Sequence, residues 1–318
     1  MTSGGQRTGT WRGRLAARLL AGASWLACHL PERLAIRLAE LGGDLWYRLA
    51  PAKRRLARAN LRRVVTWMAA EQAGDPSAWP AAGDPVALER LVRSAFRHYA
   101  RNYLETMRAP TMGGAYVRER TTIEDQAVVD AAFAEHGPVI FVGLHFGSLE
   151  LPGFYLVEHS GRPVTTPMET IDEPAIQAWF VRTRNVVGIR LVDLSLARSE
   201  LAGALERGEI AGIVADRDIT GGGVQIPFFG APAPIPAGPG LLAVQSHVPA
   251  FVAGAWRTTP GRYRGRLERI DAPTTGTRRE QVTAFLTAEV AAFERLIAKA
   301  PDQWWAVFFP IWRDEAAA

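Results

Sequence analysis

Apolar Leu, Ala, Ile and Trp recur at helical spacing from position 11 to about 65, interleaved with Arg12, Arg14, Arg18, Arg33, Arg37, Arg48 and a basic cluster at 53–63. That pattern is a basic amphipathic surface, suited to lie on an anionic bilayer, or else an ordinary helical hairpin with solvated arginines. Gly74, Pro76, Pro80, Gly83 and Pro85 then mark a loop, after which Leu88, Val92, Ala95, Phe96, Tyr99 and Tyr103 predict a helix with one face on the core. From about 121 the pattern changes to short apolar runs bounded by Gly and Pro and alternating with helical stretches. The expected strands are 138–142, 162–166, 188–192, 209–215, 250–256 and 262–270, and the expected helices include 174–187, 194–207, 239–246 and one from Val282 to Ile297. The fold class is therefore α/β, a central mixed sheet flanked by helices, with an N-terminal basic amphipathic helical region.

Composition narrows this picture. The 318 residues are 48% hydrophobic, enough for a large core, and 37 Lys and Arg against 32 Asp and Glu give a net charge of +5. Much of the excess lies in the first hundred residues, beside apolar side chains rather than in a plain basic tract, which favours a membrane surface over nucleic acid. The single Cys28 excludes a disulfide framework and a cysteine-rich metal site. No apolar run reaches the roughly 20 residues of a membrane span. The stretch 15–30 comes nearest, but it holds Arg18 and precedes Pro31, so it reads as an in-plane anchor; with no evident cleavage site it does not read as a signal peptide. Residues 1–10 are small and polar, an expected disordered tail.

Candidate chemistry begins in Gly143-Leu144-His145-Phe146-Gly147-Ser148-Leu149-Glu150. A buried strand breaks at Gly143 and delivers His145 just past its end, where sites of α/β sheets assemble. Glu150, in the first turn of the next helix, is the expected partner: a carboxylate on Nδ1 would leave Nε2 free to take a hydroxyl proton. A histidine that caps the helix or fills the core is the competing reading. Backbone N–H groups of Phe146, Gly147 and Ser148 are candidate oxyanion donors, with Arg184 as a second. Ser148 lacks the glycine-flanked elbow of a serine nucleophile. Asp216-Arg217-Asp218 follows another strand and either binds a polar headgroup or braces the site. Phe228, Phe229, Pro232, Pro234, Ile235 and Pro236 suit an acyl tunnel, a lipid-dipping segment or a packed loop. Trp304, Trp305, Phe308, Phe309 and Trp312 suit a membrane interface or the core.

Four ordered blocks over about 85–313 resemble the bacterial family of lipid A lauroyl and myristoyl acyltransferases and phosphatidylinositol mannoside acyltransferases, within the HxxxxD/E group. His145 to Glu150 is the first. The second is Met168-Glu169, then Trp179-Phe180 and Arg184-Asn185-Val186-Val187-Gly188. The third is Ala215-Asp216-Arg217-Asp218, Gly223-Val224, Phe228-Phe229-Gly230 and Pro236-Ala237-Gly238-Pro239, and the fourth is Pro301-Asp302-Gln303-Trp304-Trp305 with Pro310-Ile311-Trp312-Arg313. Glu150 stands where many relatives carry Asp, Phe146-Gly147-Ser148 replaces small-Gly-Asn, and Gln225 replaces a carboxylate.

The resemblance implies an acyltransferase domain at 85–313 behind membrane-associating helices at 11–70. It implies transfer of a fatty acyl group from acyl-CoA or acyl carrier protein to a hydroxyl of a lipid or glycolipid, peripheral or monotopic on the cytoplasmic face of the cell membrane. His145 and Glu150 would be catalytic. Glu169, Arg184, Asp216, Arg217, Asp218, Gly223, Phe228, Phe229, Gly230 and Gly238 would bind substrate. No cofactor, metal or nucleic acid is expected. A thioesterase or lipid hydrolase using the same base on water, and a non-catalytic basic membrane-binding protein, are the alternatives.

Overall fold

The computed structural model describes residues 10–134, 137–185 and 188–312. The expected tail therefore lies outside the described residues except for Thr10, as do Val186, Val187 and Arg313 of the sequence blocks. Three helices open the chain: α1 (Trp11–His29), α2 (Glu32–Leu49) and α3 (Pro51–Ala70). Pro31 ends the first, and Pro51 starts the third at its first turn, where a missing N–H costs nothing. A short 3-10 segment (Pro76–Ala82) crosses the expected loop, and α4 (Pro85–Arg108) begins under an Asp84 cap.

The α/β region then runs α5 (Gly114–Arg120), β1 (Thr121–Ile123), α6 (Gln126–Ala134), β2 (Val139–Gly143), α7 (Glu150–Ser160), β3 (Val164–Met168), α8 (Pro174–Asn185), β4 (Ile189–Asp193), α9 (Ala197–Glu206), β5 (Ile210–Val214), β6 (Val224–Phe228), β7 (Ala231–Ile235), α10 (Gly238–Ser246), β8 (Ala250–Thr259), β9 (Arg262–Ile270) and α11 (Arg278–Ile297). Seven strands form one mixed sheet in the order β1-β9-β8-β2-β5-β3-β4. Only the β8–β9 pairing is antiparallel, so β9 and β1 run against the other five. β3 starts two residues later than expected, after Pro163, which has no N–H to give a ladder.

Strand alternation divides the core in two. Ile140, Val142, Ala211 and Val252 face the helices α10 and α11, while Val139, Phe141, Ile210 and Phe251 face α6 and α7. Helix α3 belongs to the first core: Leu61, Val64, Val65 and Met68 are fully buried there. Trp304, Phe308 and Trp312 are buried in it too, which decides between interface and core for those three aromatics. The outer face of α1 and α2 differs sharply. Leu15, Leu19, Trp25, Leu34, Leu38, Leu41, Leu45 and Leu49 are exposed along it. Among the described residues no helix is long and apolar enough to cross a membrane.

Of the stiff segment Phe228 to Pro236, the residues through Ile235 belong to a strand ribbon and line no large cavity, whereas Pro236 just past it does. β6 and β7 pair with Pro227 opposite Pro232, and Phe229 and Gly230 turn the corner with φ of 48° and 76°. A two-stranded ribbon tolerates prolines because its outer edges need no donor. Phe228 and Phe229 are buried against Trp304, and Trp67 caps Phe229.

Candidate active site

Parallel pairing sets the site. β2 and β5 lie side by side with Gly143 opposite Val214, so two residues further on His145 and Asp216 leave the sheet together. The imidazole Nδ1 lies 2.6 Å from Asp216 Oδ1, and the other oxygen accepts the His145 main-chain N–H at 2.9 Å and the Trp304 indole N–H at 2.7 Å. Burial alone would raise the Asp216 carboxyl. The His145 ring, with the Trp304 and main-chain donors, outweighs burial and holds it below the usual carboxylate range. Asp216 is thus an anion held by three donors, and Nε2 is the ring nitrogen that this carboxylate leaves free.

The expected pairing of His145 with Glu150 is overturned. Arg184 holds Glu150 in a two-pronged ion pair, Nε to Oε2 at 2.9 Å and a terminal nitrogen to Oε1 at 2.6 Å, and the Thr106 hydroxyl adds a third contact at 3.1 Å. Burial works against the Arg184 charge, but the Glu150 carboxylate more than compensates and raises its pKa. Glu150 begins α7 close to His145 in sequence, yet its lone pairs belong to a permanent cation and Nδ1 belongs to Asp216.

The three expected oxyanion donors are also occupied. Phe146 N–H bonds to the Leu144 carbonyl at 2.7 Å, Gly147 to Gln303 at 2.8 Å and Ser148 to Ala255 at 3.0 Å. These bonds lock the turn instead. Gly147 adopts φ of 53°, and a Cβ there would sit 1.9 Å from the Ala255 carbonyl oxygen, so no other residue fits. The sequence marks Gln303 and Trp304 as part of a recognisable block, and Trp304 as an interface or core aromatic, but gives neither a role in the site. They clamp the His145 turn, with Trp305 N–H on the His145 carbonyl at 2.9 Å and its ring edge-on to the imidazole at 4.4 Å.

A cavity of about 1340 Å³ opens at this point, larger than the roughly 300–1,000 Å³ of ordinary small-molecule pockets. His145, Phe146, Ser148, Glu150, Glu169, Arg184, Arg217, Asp218 and Gly238 line it. Arg217 pairs with Glu169 at 2.7 Å and lies 4.0 Å from the Phe309 ring centre. Asp216 sits behind His145, outside the lining. Gly147, Gly223, Phe228, Phe229 and Gly230 do not line it either. Gly223 N–H bonds to Asp218, which also gathers the Thr220 and Gly221 N–H groups, so that loop is internally braced. Glu289 of α11 is fully buried, and neither carboxyl oxygen has a partner. Burial, with the Asp216 charge nearby, pushes its pKa well above the ordinary value. Among the described residues no His, Cys, Asp and Glu cluster is arranged to hold a metal ion.

A histidine backed by a buried carboxylate in the wall of a large, mostly apolar cavity suits acyl transfer to or from a hydroxyl. The chain belongs to the family described as bacterial lipid A biosynthesis acyltransferases, which it matches over residues 13–313. It is similar to the phosphatidylinositol mannoside acyltransferase of Mycolicibacterium smegmatis, 29% identical over 67% of this chain and 70% of that one. It is also similar to the phosphatidylinositol mannoside acyltransferase of Mycobacterium tuberculosis (strain CDC 1551 / Oshkosh), 27% identical over 74% of this chain and 71% of that one. The protein is therefore a lipid O-acyltransferase, working between an acyl donor and a lipid acceptor.

Proposed function

We propose that the protein moves a fatty acyl group from a thioester, acyl-CoA or acyl carrier protein, to a hydroxyl of a glycolipid of the phosphatidylinositol mannoside type, with His145 as general base. The observation that carries this is the 2.6 Å contact between His145 Nδ1 and the buried Asp216 carboxylate. Neutral His145 keeps its proton on Nδ1, toward Asp216, and Nε2 accepts the proton of the acceptor hydroxyl. The hydroxyl oxygen attacks the thioester carbonyl, and Asp216 stabilises the imidazolium that forms. Collapse of the tetrahedral intermediate expels the thiolate, which recovers the proton from Nε2, leaving an ester and a free thiol. No acyl-enzyme is needed. His145→Ala is expected to lower transfer of a labelled acyl chain to the lipid by about 10²–10⁴-fold; transfer at the wild-type rate would refute the mechanism. Free fatty acid formed equally fast without acceptor would make the enzyme a hydrolase instead.

The same reading puts the protein on the cytoplasmic face of the membrane through α1 and α2. Leu34, Leu38, Leu41, Leu45 and Leu49 form an exposed stripe at spacings of three and four along α2, flanked by Arg33, Arg37 and Arg48. The opposite side of α2, at Ala35, Ile36 and Gly43, is buried. Asp at 38, 41 and 45 is expected to abolish flotation with anionic liposomes without unfolding the protein. Undiminished flotation would remove this anchor from the proposal.

A further inference from the structure

The cavity does not stay on one face of the sheet. Gly212 and Ile213 are neighbours on β5 and point to opposite faces, and both line it. Its lining includes Gly143, Val164 and Leu156 of α7, and also Leu201 of α9 and Leu242 of α10. Arg198 on α9 and Arg278 in the first turn of α11 line it as well, and both are exposed. Arg278 reaches the Gln245 side chain of α10 at 3.5 Å, and neither arginine is paired with a carboxylate among the described residues.

The arginines elsewhere in the lining are differently placed. Arg184 is neutralised by Glu150 at 2.6 Å and Arg217 by Glu169 at 2.7 Å. Two exposed guanidinium groups of the lining are thus left uncompensated, and Ile219 and Leu241, 43% and 39% exposed, line the same cavity. Unpaired guanidinium forks beside apolar side chains match a phosphate ester carried on an apolar stem, since the fork binds two phosphate oxygens at once.

We infer that Arg198 and Arg278 hold a phosphate group of a substrate whose remainder enters the cavity beside α9 and α10. The inference rests on the proposed acyl transfer, in which either substrate brings such a group: the phosphate on the pantetheine arm of the donor, or the phosphoinositol headgroup of the acceptor. Calorimetric titration of the full-length protein separates these sources without requiring turnover. Coenzyme A probes the donor and glycerophosphoinositol the acceptor, with pantetheine and inositol as phosphate-free counterparts. The double variant Arg198→Gln, Arg278→Gln is expected to bind one phosphate-bearing probe at least about tenfold more weakly than wild type, with the difference shrinking at high salt. The phosphate-free counterpart should bind both proteins alike. The probe that loses affinity identifies the source. Equal affinity of both phosphate-bearing probes for the two proteins, or no saturable binding of either to wild type, overturns the inference. Phosphate binding by a wild-type protein that transfers no acyl chain would instead refute the proposed function and leave this site standing.

Discussion

Two buried carboxylates stand within reach of the same turn, and they do different work. Asp216 and Glu150 are both buried and both accept from a nitrogen at 2.6 Å. The partner of Asp216 is the His145 imidazole, whose other nitrogen the carboxylate does not engage, and His145 lines the cavity. The partner of Glu150 is a guanidinium, which stays charged throughout. Position in sequence near a histidine is therefore a poor guide to which acid serves it. In the proposed mechanism the first pair takes up and returns a proton; the second ties the start of α7 to the end of α8 and shapes the cavity wall.

Removing each acid separates the two roles. Asp216→Asn is expected to give the larger loss of activity, about 10²–10⁴-fold in kcat, because the amide no longer stabilises the imidazolium or fixes the tautomer. The fold should survive, as seen by circular dichroism. Glu150→Gln leaves Arg184 buried without its counter-charge, so its main effect should be on stability, a loss of about 3–5 kcal/mol by chemical denaturation. Activity per folded molecule should fall far less than in Asp216→Asn. Equal losses of kcat in the two variants would erase the distinction.

Glu289 gives the smallest and most selective effect. Its carboxyl binds a proton more tightly in the folded than in the unfolded chain, so wild-type stability declines as pH rises above the ordinary glutamate value of 4.5. Glu289→Gln should escape that decline and gain on wild type progressively from that pH upward, with kcat little changed. A stability difference that is flat with pH would show that the carboxyl is solvated. Asp216 has the opposite sign: with its pKa lowered, its contribution is present above the unfolded carboxyl value and fades as pH falls through the folded one.

Much of this was legible in the sequence because it is local. A buried run ending in Gly143 announces a strand, and His145 just beyond it announces a strand-end site. The family resemblance set out from the four blocks matches the membership found over residues 13–313. What escaped was non-local. His145 and Asp216 are 71 residues apart and meet only because β2 and β5 are parallel neighbours, a pairing that periodicity does not encode. Glu150 was misread for the same reason, since Arg184 comes from α8 and Thr106 from α4. The occupied N–H groups of Phe146, Gly147 and Ser148 were hidden too, because two of the three acceptors lie on β8 and the C-terminal segment. In β6–β7 the prolines masked a strand pattern that only a ribbon with free edges permits.

The most direct test is proton NMR of the His145 Nδ1–H. A short bond to a buried carboxylate should give a far-downfield resonance in the wild-type protein, lost in Asp216→Asn and retained in Glu150→Gln. A resonance that survives Asp216→Asn and vanishes in Glu150→Gln would return Glu150 to the role of partner and contradict the account.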